Sequence, residues 1–139
     1  MSTDEQAIID LAIAYTWALD TMQLDELRSI FANDATADLN GVHCDGVDAI
    51  IARINRPLSR LDVTQHLVGN HQVTIDGDTA THRCYLQGQH VKRGTPGGDN
   101  YLLGGIYDDR LARTPDGWRI THRTLTATWT DGNPAVVGH

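Results

Sequence analysis

From Thr64 to Thr130 the chain consists of long strand-like runs cut by tight-turn signals, and this restricts the fold more than any other feature. Thr64 to Asp76 reads as one strand, and Asp76-Gly77 marks a hairpin turn into a return strand from Asp78 to Lys92. A glycine-rich loop from Gly94 to Asn100 leads into a third strand, Tyr101 to Arg113, and Pro115-Asp116-Gly117 turns the chain into a fourth, Trp118 to Thr130. Connections this short join antiparallel neighbours, because a parallel pair needs a long crossover. The second half is therefore expected to be a meander.

The first half reads differently. Ser2 and Glu5 have capping-box spacing, so a helix is predicted to start near Thr3. Ile8, Leu11, Ala12, Tyr15 and Leu19 then recur as a helical apolar stripe. A second short helix is predicted over Leu24 to Ala32, with Asp25 and Glu26 in its first turn and Leu27, Ile30 and Phe31 inward. Ala35 to Leu39 reads as a short strand. After the break at Asp45-Gly46, Val47 to Asn55 reads as a third helix with Ile50, Ile51 and Ile54 inward, ended by Pro57. The tail from Asp131, with Gly132, Pro134 and Gly138, is expected to be loose. Residues 1–130 are expected to form a single domain, since neither a linker nor a repeat divides them.

Helices followed by a long meander define an α+β chain. Long, strongly twisted strands with helices segregated to one face curl into a cone-shaped curved sheet, antiparallel or mixed. The N-terminal helices then close an apolar cavity suited to a small ligand. The net charge of −7 argues against nucleic acid and against an anionic membrane surface as partners. No apolar run approaches the roughly 20 residues of a membrane span, and Asp4 and Glu5 replace the basic start of a signal peptide. Cys44 and Cys84 form no paired motif, so a reduced, cytoplasmic setting is expected.

Several local patterns occur in a recognisable order: Tyr15 to Asp20, Leu24-Asp25-Glu26-Leu27, Phe31-Ala32-Asn33-Asp34-Ala35, Gln65-His66-Leu67-Val68-Gly69-Asn70, Ile75-Asp76-Gly77-Asp78-Thr79-Ala80, Gly104-Gly105-Ile106-Tyr107 and Gly117-Trp118-Arg119-Ile120. Together they resemble the SnoaL-like branch of the NTF2-like superfamily. Within it the chain is most similar to the scytalone dehydratases, hexachlorocyclohexane dehydrochlorinases and bile-acid 7α-dehydratases. The resemblance implies an Asp at the end of the first helix, Asp20, and a His at the start of a strand, His66, as a catalytic dyad. It also implies catalytic roles for Tyr15 and, on the last strand, Arg123. Neither metal nor organic cofactor is expected from it.

The residues themselves bear on those assignments. An acid at a helix C-terminus opposes the macrodipole, at a cost of about 0.3–1 kcal/mol, and Asp20 also ends an apolar run. A hydrogen-bonding or cationic partner would offset both penalties, and a histidine supplies one. Such a carboxylate fixes the ring tautomer and stabilises the imidazolium, which makes a general base. Asn70 and Tyr107 are candidates to line the cavity. Trp17, Leu86, Leu103, Trp118 and Trp129 read as core or cavity wall. His66 and His71, five apart on a strand, should point to opposite faces, and His82 and His90 share a face but lie about 26 Å apart, so no metal site is expected.

These readings favour a cofactor-independent lyase of the dehydratase or dehydrohalogenase type, or an isomerase or cyclase, acting on a small hydrophobic cyclic substrate. The alternative is a non-catalytic ligand-binding or assembly module on the same fold. A ketosteroid-isomerase chemistry would place its base at Leu39, one residue from Asp38, and a one-residue step turns a strand side chain to the other face. The open face of the sheet is expected to pack against further copies as a homodimer or homotrimer.

Overall fold

In the computed structural model, which describes residues 3–138, helix α1 runs Asp4–Asp20. Thr3 caps it, its side chain accepting from the Gln6 backbone N–H at 3.1 Å; Ser2 lies outside the described residues. Ile8, Ala12, Tyr15 and Leu19 are buried, as the stripe requires. The helix stops at Asp20, and Met22 takes a left-handed φ of 55° that turns the chain away.

The predicted second helix shrinks to a single 3-10 stretch, Leu24–Ser29, and strand β1 (Phe31–Leu39) begins earlier than expected. Phe31 is buried as predicted, but from a strand: Phe31, Ala35, Ala37 and Leu39 face the core. A four-residue strand that sequence reading missed, β2 (Val42–Asp45), folds back on β1 through Asn40 and Gly41, whose φ values of 51° and 90° make the tight turn. Helix α2 spans Val47–Leu58 and carries Pro57 inside its last turn rather than ending before it. Pro57 costs one N–H there, and Leu58, buried in the core, keeps the final turn in place.

The meander forms as predicted: β3 (Val63–Asp76), β4 (Thr79–Val91), β5 (Asn100–Thr114) and β6 (Gly117–Gly132) pair in antiparallel sequence. β1 joins β6 in parallel, giving a six-stranded mixed sheet ordered β2-β1-β6-β5-β4-β3. The sheet is curved and unclosed, with the helices over its concave face, as in the NTF2-like fold. Within the tail expected to be loose, the described residues include an ordered turn. Pro134–Val137 forms a 3-10 turn capped by Asn133, and Val136 is buried, so one apolar side chain anchors the tail.

Register sorts the sheet into two faces. His66, Val68, His82, Leu86, His90, Leu103 and Tyr107 belong to the concave side. On the convex side Leu67, Tyr85 and Trp129 stand exposed. The Trp129 ring lies across Gly104, where a side-chain carbon would approach it to 2.1 Å. Trp129 is thus neither core nor cavity wall, whereas Trp118 is buried as expected. No described helix is long and apolar enough to cross a membrane.

Candidate active site

β3 is an edge strand, so its outward backbone groups need partners, and the end of α1 provides one. Asp20 accepts from the His66 backbone N–H at 2.8 Å, from the Thr64 hydroxyl at 3.0 Å and from His66 Nδ1 at 2.7 Å. Thr64 and His66 are two apart on the strand and face the same side, so one carboxylate engages both. Burial pushes the Asp20 pKa up, but the His66 ring and backbone N–H, followed by Thr64, outweigh it and bring the carboxyl below its ordinary value. An ionised carboxylate only accepts hydrogen bonds. His66 Nδ1 therefore carries the proton, and the neutral ring has its lone pair at Nε2. The His66 side chain is 6% exposed and forms part of a cavity wall.

That cavity, about 470 Å3, lies between α1, α2 and the concave face, a volume suited to a small organic molecule. Tyr15, Leu86, Leu103 and Tyr107 line it. Opposite His66 in register is Gly88, where a side-chain carbon would stand 3.1 Å from His66 Nε2 and 3.3 Å from His90 Cε1. The absent side chain leaves room at the nitrogen that holds the lone pair. His90 also lines the cavity, its ring centroid 5.8 Å from that of His66 and its Nδ1 3.0 Å from the Tyr101 carbonyl. Burial, with a smaller contribution from His66, holds its pKa below the usual value, so it is neutral at neutral pH. Sequence reading missed His90 as a site residue. The period-two run His82, Cys84, Leu86, Gly88, His90 was the available signal for it.

Three expected positions fall elsewhere. Trp17 lies on the outer side of α1, 66% exposed and away from the cavity. Asn70 does not line it either; it is exposed, with φ of 60°, in a bulge between Gly69 and Gln72. Arg123 is fully buried but is not part of the cavity wall. Its guanidinium donates twice to Asp109, at 2.7 and 2.8 Å, and stacks 4.4 Å from the Tyr15 ring centroid and 4.0 Å from that of Tyr107. Arg123 thus sits behind the two tyrosines as their support. Burial raises both phenol pKa values above 10.0, so both hydroxyls stay protonated. Leu39 lines the cavity, while Asp38 pairs with His43 at 2.7 Å on the other face.

The Asn70 bulge has a second effect. The extra residue reverses the strand's alternation, so His71 turns to the same side as His66 rather than away from it. His71 Nδ1 meets His82 Nε2 at 2.9 Å, and His82 Nδ1 meets Asp109 at 2.8 Å. Cys84 completes a trio whose ligating atoms lie within 4.8 Å of one another, the group of described residues with metal-ligand character. The histidines spend their facing nitrogens on each other, however, and burial pushes the Cys84 thiol up to about 11. In this arrangement His71 and His82 form a hydrogen-bonded relay into the Asp109–Arg123 pair, with Cys84 beside them.

A curved sheet closed by helices over an apolar cavity, with a histidine in its wall held from behind by a carboxylate, defines a class of small cone-shaped domains. The SnoaL-like domain family matches residues 1–124, and the chain belongs to it. An uncharacterized protein of Mycobacterium tuberculosis is 35% identical over 129 residues, covering 89% of this chain and 85% of that one. The terrestric acid biosynthesis cluster protein E of Penicillium crustosum is 34% identical over 142 residues, covering 98% and 90%. Among solved structures, a Kribbella flavida protein superposes with a TM-score of 0.90 at 27% identity, covering 98% of this chain and 97% of that one. A type 2 hexachlorocyclohexane dehydrochlorinase shares the fold, with a TM-score of 0.81 at 18% identity over 92% and 87% of the two chains.

Proposed function

We propose that this protein is a cofactor-independent lyase or isomerase acting on a small hydrophobic cyclic substrate, with His66 as general base. The observation that carries this reading is the 2.7 Å contact between Asp20 and His66 Nδ1 at the wall of an apolar cavity. His66 Nε2 takes a proton from a carbon beside an activating group, and Asp20 stabilises the imidazolium that forms. The electron pair left on carbon forms a new double bond. In a lyase, a hydroxyl or halide on the neighbouring carbon departs with its bonding electrons; in an isomerase, the proton returns at a different carbon. Tyr15, kept protonated by burial, donates a hydrogen bond to the carbonyl or departing oxygen. His90, kept neutral, adds no positive charge beside the imidazolium. Arg123 touches none of the reacting atoms in this scheme; it positions Tyr15.

Cyclic ketones incubated in D2O test the scheme directly, because proton abstraction appears as deuterium uptake by mass spectrometry. The wild type should accelerate uptake, and His66→Gln should lose about 10²- to 10⁴-fold of that acceleration, the usual share of a general base. Uptake equal in wild type and His66→Gln would remove the catalytic reading and leave a binding or assembly module. The same proposal has the chain working as a homodimer or homotrimer through the face bearing Leu67, Tyr85 and Trp129; a monomer mass by sedimentation would contradict this part alone.

A further inference from the structure

The cavity has a charge that its apolar interior does not explain. Arg53, Arg56 and Arg60 line it along one stripe of α2 and the residues just after it, Arg56 and Arg60 exposed to solvent and Arg53 half-buried, and the wall contains no Asp or Glu. This is an unusual distribution in a chain with a net charge of −7. Among the described residues none of the three arginines has a carboxylate within ion-pair distance. Arg56 complements the negative end of the α2 dipole. That account does not extend to Arg53, five residues before the helix end. Its Nε is buried with no hydrogen-bond partner, and a buried guanidinium N–H is among the more costly groups to leave unpaired.

We infer that the substrate is an organic anion, a cyclic molecule bearing a carboxylate that is held by Arg53 with Arg56 and Arg60, while its ring occupies the apolar interior beside His66. This deepens the proposed function and rests on it for the word substrate. A carboxylate matches the planar donor fork of a guanidinium and supplies the acceptor that the Arg53 Nε lacks. It also gives the arginines of the cavity lining a purpose distinct from that of the general base and the tyrosines. An anion approaching a net-negative protein is drawn to this patch only within about one Debye length, roughly 10 Å at 0.1 M salt, so the arginines act at close range.

The test is a matched pair of ligands differing in charge alone, 2-naphthoate and 2-naphthamide, titrated calorimetrically into wild type, His66→Gln and Arg53→Met. Wild type should bind the naphthoate at least about tenfold more tightly than the amide, the range of a charge-assisted hydrogen bond. Raising the salt concentration should weaken only the naphthoate. His66→Gln should keep the preference, because the base takes no part in holding the anion. Arg53→Met should reduce the preference to about twofold, chiefly by weakening the naphthoate, and a urea unfolding midpoint close to that of wild type shows that the variant is folded. Equal affinities in wild type, binding of neither ligand, or a preference that survives in Arg53→Met would overturn the inference. A preserved charge preference without deuterium uptake would overturn the catalytic reading instead, so the two failures are separable.

Discussion

Around Asp20 every donor has an evident purpose, and the same holds for the space in front of His66. Gly88 leaves that space open. Gly88→Ala would place a carbon 3.1 Å from His66 Nε2 and 3.3 Å from His90 Cε1, closer than ordinary contact, so one of the rings must shift. A base displaced by a fraction of an ångström loses much of its rate advantage. We expect Gly88→Ala to cut deuterium uptake by about tenfold or more with the Asp20–His66 hydrogen bond intact; uptake at the wild-type rate would show that the space is not used. Sequence reading singled out Tyr15, Asp20 and His66, which sit on strongly patterned segments with a family resemblance behind them, and the structure brings His66 onto the Asp20 carboxylate and into one cavity wall with Tyr15. The period-two alternation of β4 put His90 on the face of Leu86 without showing that this face walls a cavity, and nothing along the chain reports that Arg53, Arg56 and Arg60 line the same space. Trp17 was misplaced because a tryptophan in an apolar run reads as interior, whereas at its position on α1 it faces outward.

Among the elements, sequence reading fared well on the four meander strands, where two tight turns and long alternation leave little choice. It fared worse between Leu24 and Asp45. There β1 starts at Phe31, inside the predicted helix, because pairing with β6 through Phe31 and Ile120 overrides a marginal helical stretch. The bulge at Asn70 shows the sharpest limit, since one extra residue inverts the facing of everything beyond it, His71 included. At this scale Arg123 makes a stability prediction. It joins β6 to β5 through Asp109, with both side chains 0% exposed. Arg123→Met would leave the Asp109 carboxylate buried and without its cation, and we expect a loss of about 3–5 kcal/mol in urea unfolding. A loss below about 1 kcal/mol would mean the pair contributes little beyond its packing.

For the molecule as a whole, three carboxylates tie distant parts of the chain together, and the same chemistry sets its response to acid. Asp4 at the start of α1 accepts from Arg113 and Trp118, Asp20 at its end accepts from β3, and Asp109 holds Arg123. Arg113, followed by Trp118, brings the Asp4 pKa from 3.8 to about 2. Asp20 and Asp109 are also lowered, although burial opposes this at both. A carboxylate with a depressed pKa in the fold binds protons more readily when unfolded. Its contribution is present above the unfolded value of 3.8 and is lost as pH falls through the folded value. The urea midpoint should therefore fall steeply between about pH 4 and pH 2, and a midpoint that stays flat or rises over that interval would contradict the three linkages.

Asp20 sets which nitrogen of His66 is free to act, and nitrogen NMR of the His66 ring above neutral pH reads that choice. In the wild type the ring should carry its proton on Nδ1, with Nε2 giving the signal of an unprotonated nitrogen. In Asp20→Asn that preference should weaken or reverse, because an amide can donate to the ring as well as accept from it. A proton on Nε2 in the wild type, or a tautomer indifferent to Asp20→Asn, would contradict the account.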